Sequence, residues 1–247
     1  MPILITGGTG RLGNELLKVF PDAFHPTHDA MDITNKEQVS AYLRSIDLEV
    51  LIHTAALTSL QECEQFPDKA WQVNVNGTYN LAHHIKANHS KCLFVFISSP
   101  AVFRCDRGNY SEQDVPYPAN QYGITKLAGE IISGMVENHI VVRTNFVDRY
   151  WKPEKAFTDR FGTFLYSDVV AKAVKELIER KYRGIVHVCG SRKLSMYELA
   201  TLSNPAVARI SLQDIDGKLM LPKDMSLITR SWFTYELEGS KNADQTS

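Results

Sequence analysis

An α/β fold built on a doubly wound parallel sheet is what this sequence predicts, on three observations. Short apolar runs rich in β-branched residues alternate with segments of helical period. The runs are apolar almost throughout rather than at every second residue, as strands buried on both faces require. A glycine-rich turn joins the first run to the first helical segment.

Each element has its own signal. Ile3-Leu4-Ile5 is the first strand, and Arg11 to Phe20 is a helix stopped by Pro21, which cannot continue it. Ala23 to Thr27 is a second strand. Thr34-Asn35-Lys36-Glu37 has the spacing of a capping box and opens a helix to about Ile46. Val50-Leu51-Ile52-His53 is the third strand, Asp68 to about Asn88 a longer helix, and Cys92 to Ser98 the fourth strand. Asn120 to about Glu137 is a helix, followed by the strand Ile140-Val141-Val142. From Asp168 to Arg180, Val169, Val170, Ala173, Val174, Leu177 and Ile178 fall along one side of an amphipathic helix. Ile185 to Val188 is the last strand, and Ser195 to Glu198 repeats the capping-box spacing. Residues 1–145 are expected to form the core, residues 146–236 a small C-terminal portion interleaved with the last strand and helices, and the polar residues 237–247 a disordered tail.

Composition narrows the partners. Net charge is −1, with 44% hydrophobic and 22% charged residues, so neither a basic nucleic-acid surface nor an acidic tail is expected. No stretch approaches the roughly 20 apolar residues of a membrane span. The apolar run Met1 to Ile5 is too short for a secretory leader, and a cytoplasmic location is expected. Cys63, Cys92, Cys105 and Cys189 fit neither zinc-site nor disulfide spacing, and no metal is expected. Small molecules or other subunits remain as partners.

The turn Thr6-Gly7-Gly8-Thr9-Gly10-Arg11-Leu12-Gly13 carries the first functional signal. Gly7 can turn tightly, Gly10 lets the backbone approach a pyrophosphate, and Gly13 lets the helix pack closely on the strand. The free N–H groups at the helix start, from Arg11 and Leu12 onward, then face the anion. This is the Rossmann dinucleotide pattern, with the core 1–145 as its domain. The carboxylate of Asp32, beside Ile33, either accepts from an adenine amino group or serves the helix entry at Thr34. No acid stands at the end of the second strand to select a ribose 2′-hydroxyl. Thr27 and His28 leave room for a 2′-phosphate, so NADP is favoured over NAD.

Tyr122-Gly123-Ile124-Thr125-Lys126 puts tyrosine and lysine one helical turn apart on one face. Tyrosine, with a pKa near 10, is a poor proton donor or acceptor at neutral pH, and a neighbouring ammonium favours its phenolate. A shift of about 3 units needs about 4 kcal/mol of differential interaction. Ser98-Ser99 ends the fourth strand at the carboxyl edge of the sheet, where such sheets bind ligands. Ser99 there faces a substrate carbonyl oxygen also addressed by Tyr122.

Together these segments resemble the extended short-chain dehydrogenases/reductases, most closely the dTDP-4-dehydrorhamnose reductases. The resemblance rests on Gly7 to Gly13, Met31-Asp32-Ile33-Thr34, His53-Thr54-Ala55-Ala56, Asn74-Val75-Asn76-Gly77-Thr78, Ser98-Ser99, Tyr122 to Glu130, Arg143-Thr144 and Tyr166-Ser167-Asp168. It implies catalytic roles for Ser99, Tyr122 and Lys126, with Asn74 supporting them. It implies cofactor contacts from Gly7, Gly10, Arg11, Leu12, Gly13, Asp32, Ile33, Ala55, Ala56, Tyr122 and Lys126, and substrate contacts from Ser99, Pro100, Arg143 and Asn145. For Arg143 a structural salt bridge is the alternative, and for Asp168 a helix start.

Two departures touch the substrate side. Where these reductases read Ser-Thr-Asp-Tyr-Val-Phe-Asp, this chain has Ser98-Ser99-Pro100-Ala101-Val102-Phe103-Arg104, closer to sugar-nucleotide epimerases and dehydratases. The segment 145–166 is also shorter by about one helix, so a more open cleft or a homodimer that completes it is expected. The activity implied is reduction of a 4-keto nucleotide sugar by NADP or NAD. The alternatives are an epimerase or dehydratase that retains its dinucleotide, or a non-catalytic regulatory subunit.

Overall fold

A computed structural model describes residues 1–215 and 221–238. Its strands are β1 (Ile3–Thr6), β2 (Val50–His53), β3 (Leu93–Ser98), β4 (His139–Thr144), β5 (Phe146–Val147), β6 (Lys155–Phe157), β7 (Phe161–Gly162), β8 (Leu165–Tyr166), β9 (Gly184–Val188), β10 (Leu194–Ser195) and β11 (Ala208–Ile210). The α-helices are α1 (Arg11–Val19), α2 (Lys36–Arg44), α3 (Leu60–Gln65), α4 (Pro67–Trp71), α5 (Gly77–Asn88), α6 (Gln121–Ser133), α7 (Ser167–Glu179) and α8 (Met196–Thr201).

The unbroken apolar runs become the central sheet. Its order is β1-β2-β3-β4-β9, every pair parallel. Side chains alternate between two cores: Ile3, Ile5, Ile52, Val95 and Val142 meet α1 and α7 on one face. Leu4, Leu51, Phe94, Phe96 and Val141 meet α2 and α5 on the other. Helix α6 lies on that second face against β3, β4 and α5. The doubly wound parallel fold is therefore present.

Several elements differ from the sequence expectation. The second strand shrinks to Phe24, which gives its N–H to Ile3 O (2.8 Å) and accepts from Ile5 N (2.8 Å). Two residues later Pro26 has no N–H to continue the ladder. The cap of α2 is Asn35, whose side chain accepts from Gln38 N (3.0 Å). Thr34 instead donates its hydroxyl to Asp32 (2.8 Å). The helix expected from Asp68 is α4 and α5 joined by a π-helical turn, Gln72–Asn76, with α3 before it. Helix α6 stops at Ser133, before Gly134, rather than near Glu137. The caps at Asn120 (from Gly123 N, 2.8 Å) and at Ser195–Glu198 are as the sequence indicates.

The short segment 145–166 folds into small two-stranded pieces: β5 with β8, β6 with β11, and β7 with β10. The C-terminal stretch then returns over the carboxyl edge of the sheet, bridging Phe161 through Asp224, Tyr110 through Leu227 and Gly190 through Tyr235. The tail expected from 237 does not begin there, because Leu237 packs beside Phe164 and Leu194. Residues 239–247 lie outside the described residues.

Candidate active site

From β1 the chain first runs outward to Phe24 and then returns to β2 on the other side of β1. The strand order reverses there, and such a reversal opens a crevice beyond the carboxyl ends of the strands. A cleft of about 520 Å3 occupies that place, lined on one side by Gly10, Arg11, Leu12 and Gly13.

The glycine turn is built for close approach. Gly7 has φ +71 and accepts from Gly10 N (2.9 Å), and Gly10 O accepts from Asn14 N (2.9 Å). A methyl group on Gly13 would lie 2.1 Å from Gly7 O. No side chain fits at Gly13, because α1 packs there directly on the backbone of the turn. Gly13→Ala is therefore expected to open the turn, lower stability by about 1–3 kcal/mol and sharply weaken dinucleotide binding. Thermal melting and a fluorescence titration with NADPH check this. An affinity equal to wild type would mean that the close contact of Gly13 with Gly7 serves no ligand.

Arg11 pairs with Asp148 (3.0 Å) across the cleft mouth. Ala56 lines the cleft, whereas Ala55 sits 2.7 Å from a Cβ built on Gly7. Asp32 and Ile33 are not on the cleft wall. The Asp32 carboxylate takes the N–H (2.9 Å) and hydroxyl (2.8 Å) of Thr34, and hydrogen bonds to Thr34 with the nearby His28 hold it below its ordinary value against the cost of its burial. Ile33 is buried against Gly77. Of the two roles expected of Asp32, the helix-entry role is the one its hydrogen bonds display.

The other wall is made by the ends of β3 and β4 and the start of α6. Gly123 makes this possible, since a Cβ there would lie 2.1 Å from Ala101 O. Tyr122 is half-buried and hydrogen-bonded to Ser99. Ser99 Oγ also accepts from Ala101 N (3.2 Å). Burial pushes the Tyr122 phenol up to about 12, with the Ser99 bond opposing and the nearby Cys63 adding to the rise. Lys126 is not among the groups that shift Tyr122, so the expected lowering by its ammonium is corrected. Lys126 Nζ lies 4.1 Å over the Phe96 ring, and burial drives the ammonium itself down to about 7, with Glu130 opposing. His53 behind it is held neutral at about 3, first by burial and then by the Lys126 charge.

Asn74 does not line the cleft. Buried in the π-helical turn, it accepts from Leu57 N (2.7 Å) and donates to Leu57 O (2.9 Å) and Thr125 Oγ1 (2.9 Å). It ties the loop after β2 to α6, which makes it a positioning residue. π-Helical turns within α-helices often occur at functional sites.

Two residues expected from sequence to touch substrate do not line the cleft. Arg143 is 1% exposed, and its Nε and Nη2 donate to Glu130 at 2.9 and 2.7 Å. Ser98 donates to the same carboxylate (2.6 Å), and Arg143 Nη1 reaches His187 Nε2 at 3.5 Å. The side chain faces Glu130, on α6 one turn beyond Lys126 and off the cleft wall, so the salt-bridge alternative is the observed one. Pro100 is buried in a 3-10 turn, its carbonyl taking the Cys105 thiol (3.1 Å), and Ala101 lines the cleft in its place. Asn145 does line the cleft, beside Met225 (3.9 Å). Asp168 starts α7 and binds Arg149 through both oxygens (3.1 and 2.7 Å).

Thr144, Arg160, Phe164, Met196, Pro222 and Met225 also line the cleft, and apart from Thr144, in the Arg143-Thr144 pair, no sequence pattern marks them. They come from four separate segments that meet only in the fold. Thr144 Oγ1 is buried there without a hydrogen-bond partner among the described residues. Among the described residues no helix is long and apolar enough to cross a membrane.

The family described as RmlD substrate binding domain matches residues 1–208. The dTDP-4-dehydrorhamnose reductase of Aggregatibacter actinomycetemcomitans is 30% identical, over 86% of this chain and 82% of its own. Methionine adenosyltransferase 2 subunit beta of Rattus norvegicus is 28% identical, over 80% of this chain and 70% of its own. A crystal structure of dTDP-4-dehydrorhamnose reductase from Bacillus anthracis in complex with NADP superposes with a TM-score of 0.86 at 25% identity, covering 97% of each chain.

Proposed function

The chain belongs to the RmlD substrate binding domain family, and from that membership we propose that it is an NADP-dependent reductase of a nucleotide-linked 4-keto sugar. The observation that carries this reading is the convergence of the glycine turn, Ser99, Tyr122 and Lys126 on one cleft. Support for NADP over NAD comes from the B. anthracis reductase, which holds NADP. The exposed His25 and Thr27, rather than a carboxylate, also follow Phe24 in this chain.

In this reading Gly10, Arg11, Leu12 and Gly13 hold the pyrophosphate, and Lys126 bonds the nicotinamide ribose. NADPH, when bound, supplies a hydride for the keto carbon. Ser99 donates a hydrogen bond to the carbonyl oxygen and orients it. Tyr122 gives that oxygen its hydroxyl proton, so the ketone becomes an alcohol. With its phenol held near 12, Tyr122 is protonated at neutral pH, which suits the reducing direction. Asn74 holds α6, and with it Tyr122 and Lys126, against the loop after β2.

A second reading, a non-catalytic dinucleotide-binding subunit, is favoured by the match to methionine adenosyltransferase 2 subunit beta. Incubating the purified chain with NADPH and dTDP-4-dehydrorhamnose separates the two. Stoichiometric loss of NADPH absorbance with formation of the 4-hydroxy sugar is expected. NADPH binding without turnover on that sugar, or on a panel of other 4-keto nucleotide sugars, would establish the subunit reading.

A further inference from the structure

The amine of Lys126 stands in the cleft without a polar partner. The residue is 4% exposed and lines the cleft, with Nζ 4.1 Å over the Phe96 ring. Among the described residues Nζ makes no hydrogen bond and no ion pair. Glu130, one turn further along α6, is committed elsewhere: Arg143 of β4 donates to it at 2.9 and 2.7 Å, and Ser98 of β3 at 2.6 Å. His53 of β2 is bonded to Thr6 (2.7 Å) and Thr78 (3.0 Å) and stays neutral. Tyr122, on the same face of α6, bonds Ser99 and stays protonated.

Only the Phe96 ring and the Glu130 charge favour the ammonium, and burial outweighs them, so its value falls to about 7. At neutral pH about half of the Lys126 side chains are then free amine, against fewer than about one in a thousand for an ordinary lysine. A less basic amine is a weaker nucleophile. With the Brønsted slope of about 0.4–0.5 that thiols show, the net gain in reactivity is still about 10- to 100-fold.

The cleft also selects the reagent. Arg11, Lys126 and Arg160 line it and no acidic residue does, although Asp148 at its mouth pairs with Arg11 (3.0 Å). Gly10 leaves the first N–H groups of α1 without a side-chain cap. Such a cleft gathers small anions.

We propose that Lys126 is an acylation site for small acyl phosphates, open when the cleft is empty and closed when a dinucleotide is bound. The Nζ lone pair attacks the acyl carbon and an amide bond forms. The bond from that carbon to the phosphate oxygen breaks, and inorganic phosphate leaves with the electron pair. The nitrogen loses its proton to water, and nothing is oxidised or reduced. The neutral amide keeps one N–H and adds bulk where the ribose would sit, so an acylated chain no longer takes the dinucleotide. This rests on the placement of Lys126 at the nicotinamide ribose and adds a means by which an empty chain is switched off.

The test treats the full chain with acetyl phosphate at neutral pH and follows each lysine by peptide mass spectrometry. The exposed Lys36, Lys86 and Lys91 serve as internal references. Lys126 should be acetylated about 10- to 100-fold faster than these. Its rate should level off above about pH 8, while the references keep rising. NADP at ten times its Kd should slow Lys126 by about tenfold, because only the empty fraction reacts, and leave the references unchanged. Chain acetylated at Lys126 should bind no NADPH in a fluorescence titration. Acetylation of Lys126 no faster than of the references would overturn the proposal, as would a rate that saturating NADP leaves unchanged. A neutral donor, p-nitrophenyl acetate, separates the amine from the charge of the cleft: selective labelling by it, but not by acetyl phosphate, would overturn the assignment to acyl phosphates. Failure of the reductase reading looks different: no turnover of any keto sugar, with fast, NADP-protected acetylation of Lys126 intact.

Discussion

Tyr122→Phe is expected to lower kcat for the keto sugar by about 10²–10⁴-fold, the usual worth of a positioned general acid. The substitution removes one hydroxyl and almost no volume. It costs the bond to Ser99 and leaves the rest of α6 in place, including the Asn120 cap and the Asn74–Thr125 tie. NADPH affinity should barely change, because the glycine turn and Lys126 remain. KM should also hold, since Ser99 and the substrate side are untouched, and a drop in kcat alone marks an interaction made in the transition state. Lys126→Met should instead harm NADPH binding and turnover together. Single-turnover kinetics with a parallel NADPH titration read both effects. Near-normal turnover in Tyr122→Phe would remove the phenol as proton donor.

Arg143→Met should produce the largest loss of stability. It leaves the Glu130 carboxylate, 6% exposed, with the Ser98 hydroxyl as its one hydrogen-bond partner among the described residues. Breaking a buried pair from one side typically costs 3–5 kcal/mol, because the remaining charge is stranded. For a chain of this size that is a fall in Tm of about 6–20 °C. Replacing the whole pair, in the double variant Arg143→Met with Glu130→Leu, should recover most of the loss, since an apolar pair of similar volume has no charge to desolvate. Differential scanning calorimetry of the two variants decides the matter. A single variant that melts within about 2 °C of wild type would mean that water or a neighbour satisfies Glu130 at once.

Arg143 also shows where sequence reading stops. Its place at the end of a strand indicated the site, but a strand-end side chain can face the crevice or the helix layer behind it. That choice depended on Glu130, thirteen residues earlier on α6, and on how closely Gly123 lets α6 approach the sheet. Likewise, Thr34 and Asn35 are equally good caps on spacing alone. Asp32 settled the competition by taking the Thr34 hydroxyl. Ala23 to Thr27 has strand composition, yet the ladder ends at Phe24 because Pro26 offers no N–H.

What the sequence determined by itself is the part that depends on neighbours along the chain. The unbroken apolar runs specified strands covered on both faces, the glycine spacing specified the turn after β1, and the interval from Tyr122 to Lys126 placed both on one face of a capped helix. These are local constraints of backbone conformation and period, and they survive without knowledge of the rest. The tertiary structure alone decided which charges are buried and paired and which are left facing the cleft. It turned Arg143 inward to Glu130, drew Lys126 over Phe96, and brought Arg160, Met196, Pro222 and Met225 from separate segments to one wall. The physical reason is that desolvation and ion pairing act through space, between residues whose distance along the chain carries no information about their distance in the fold.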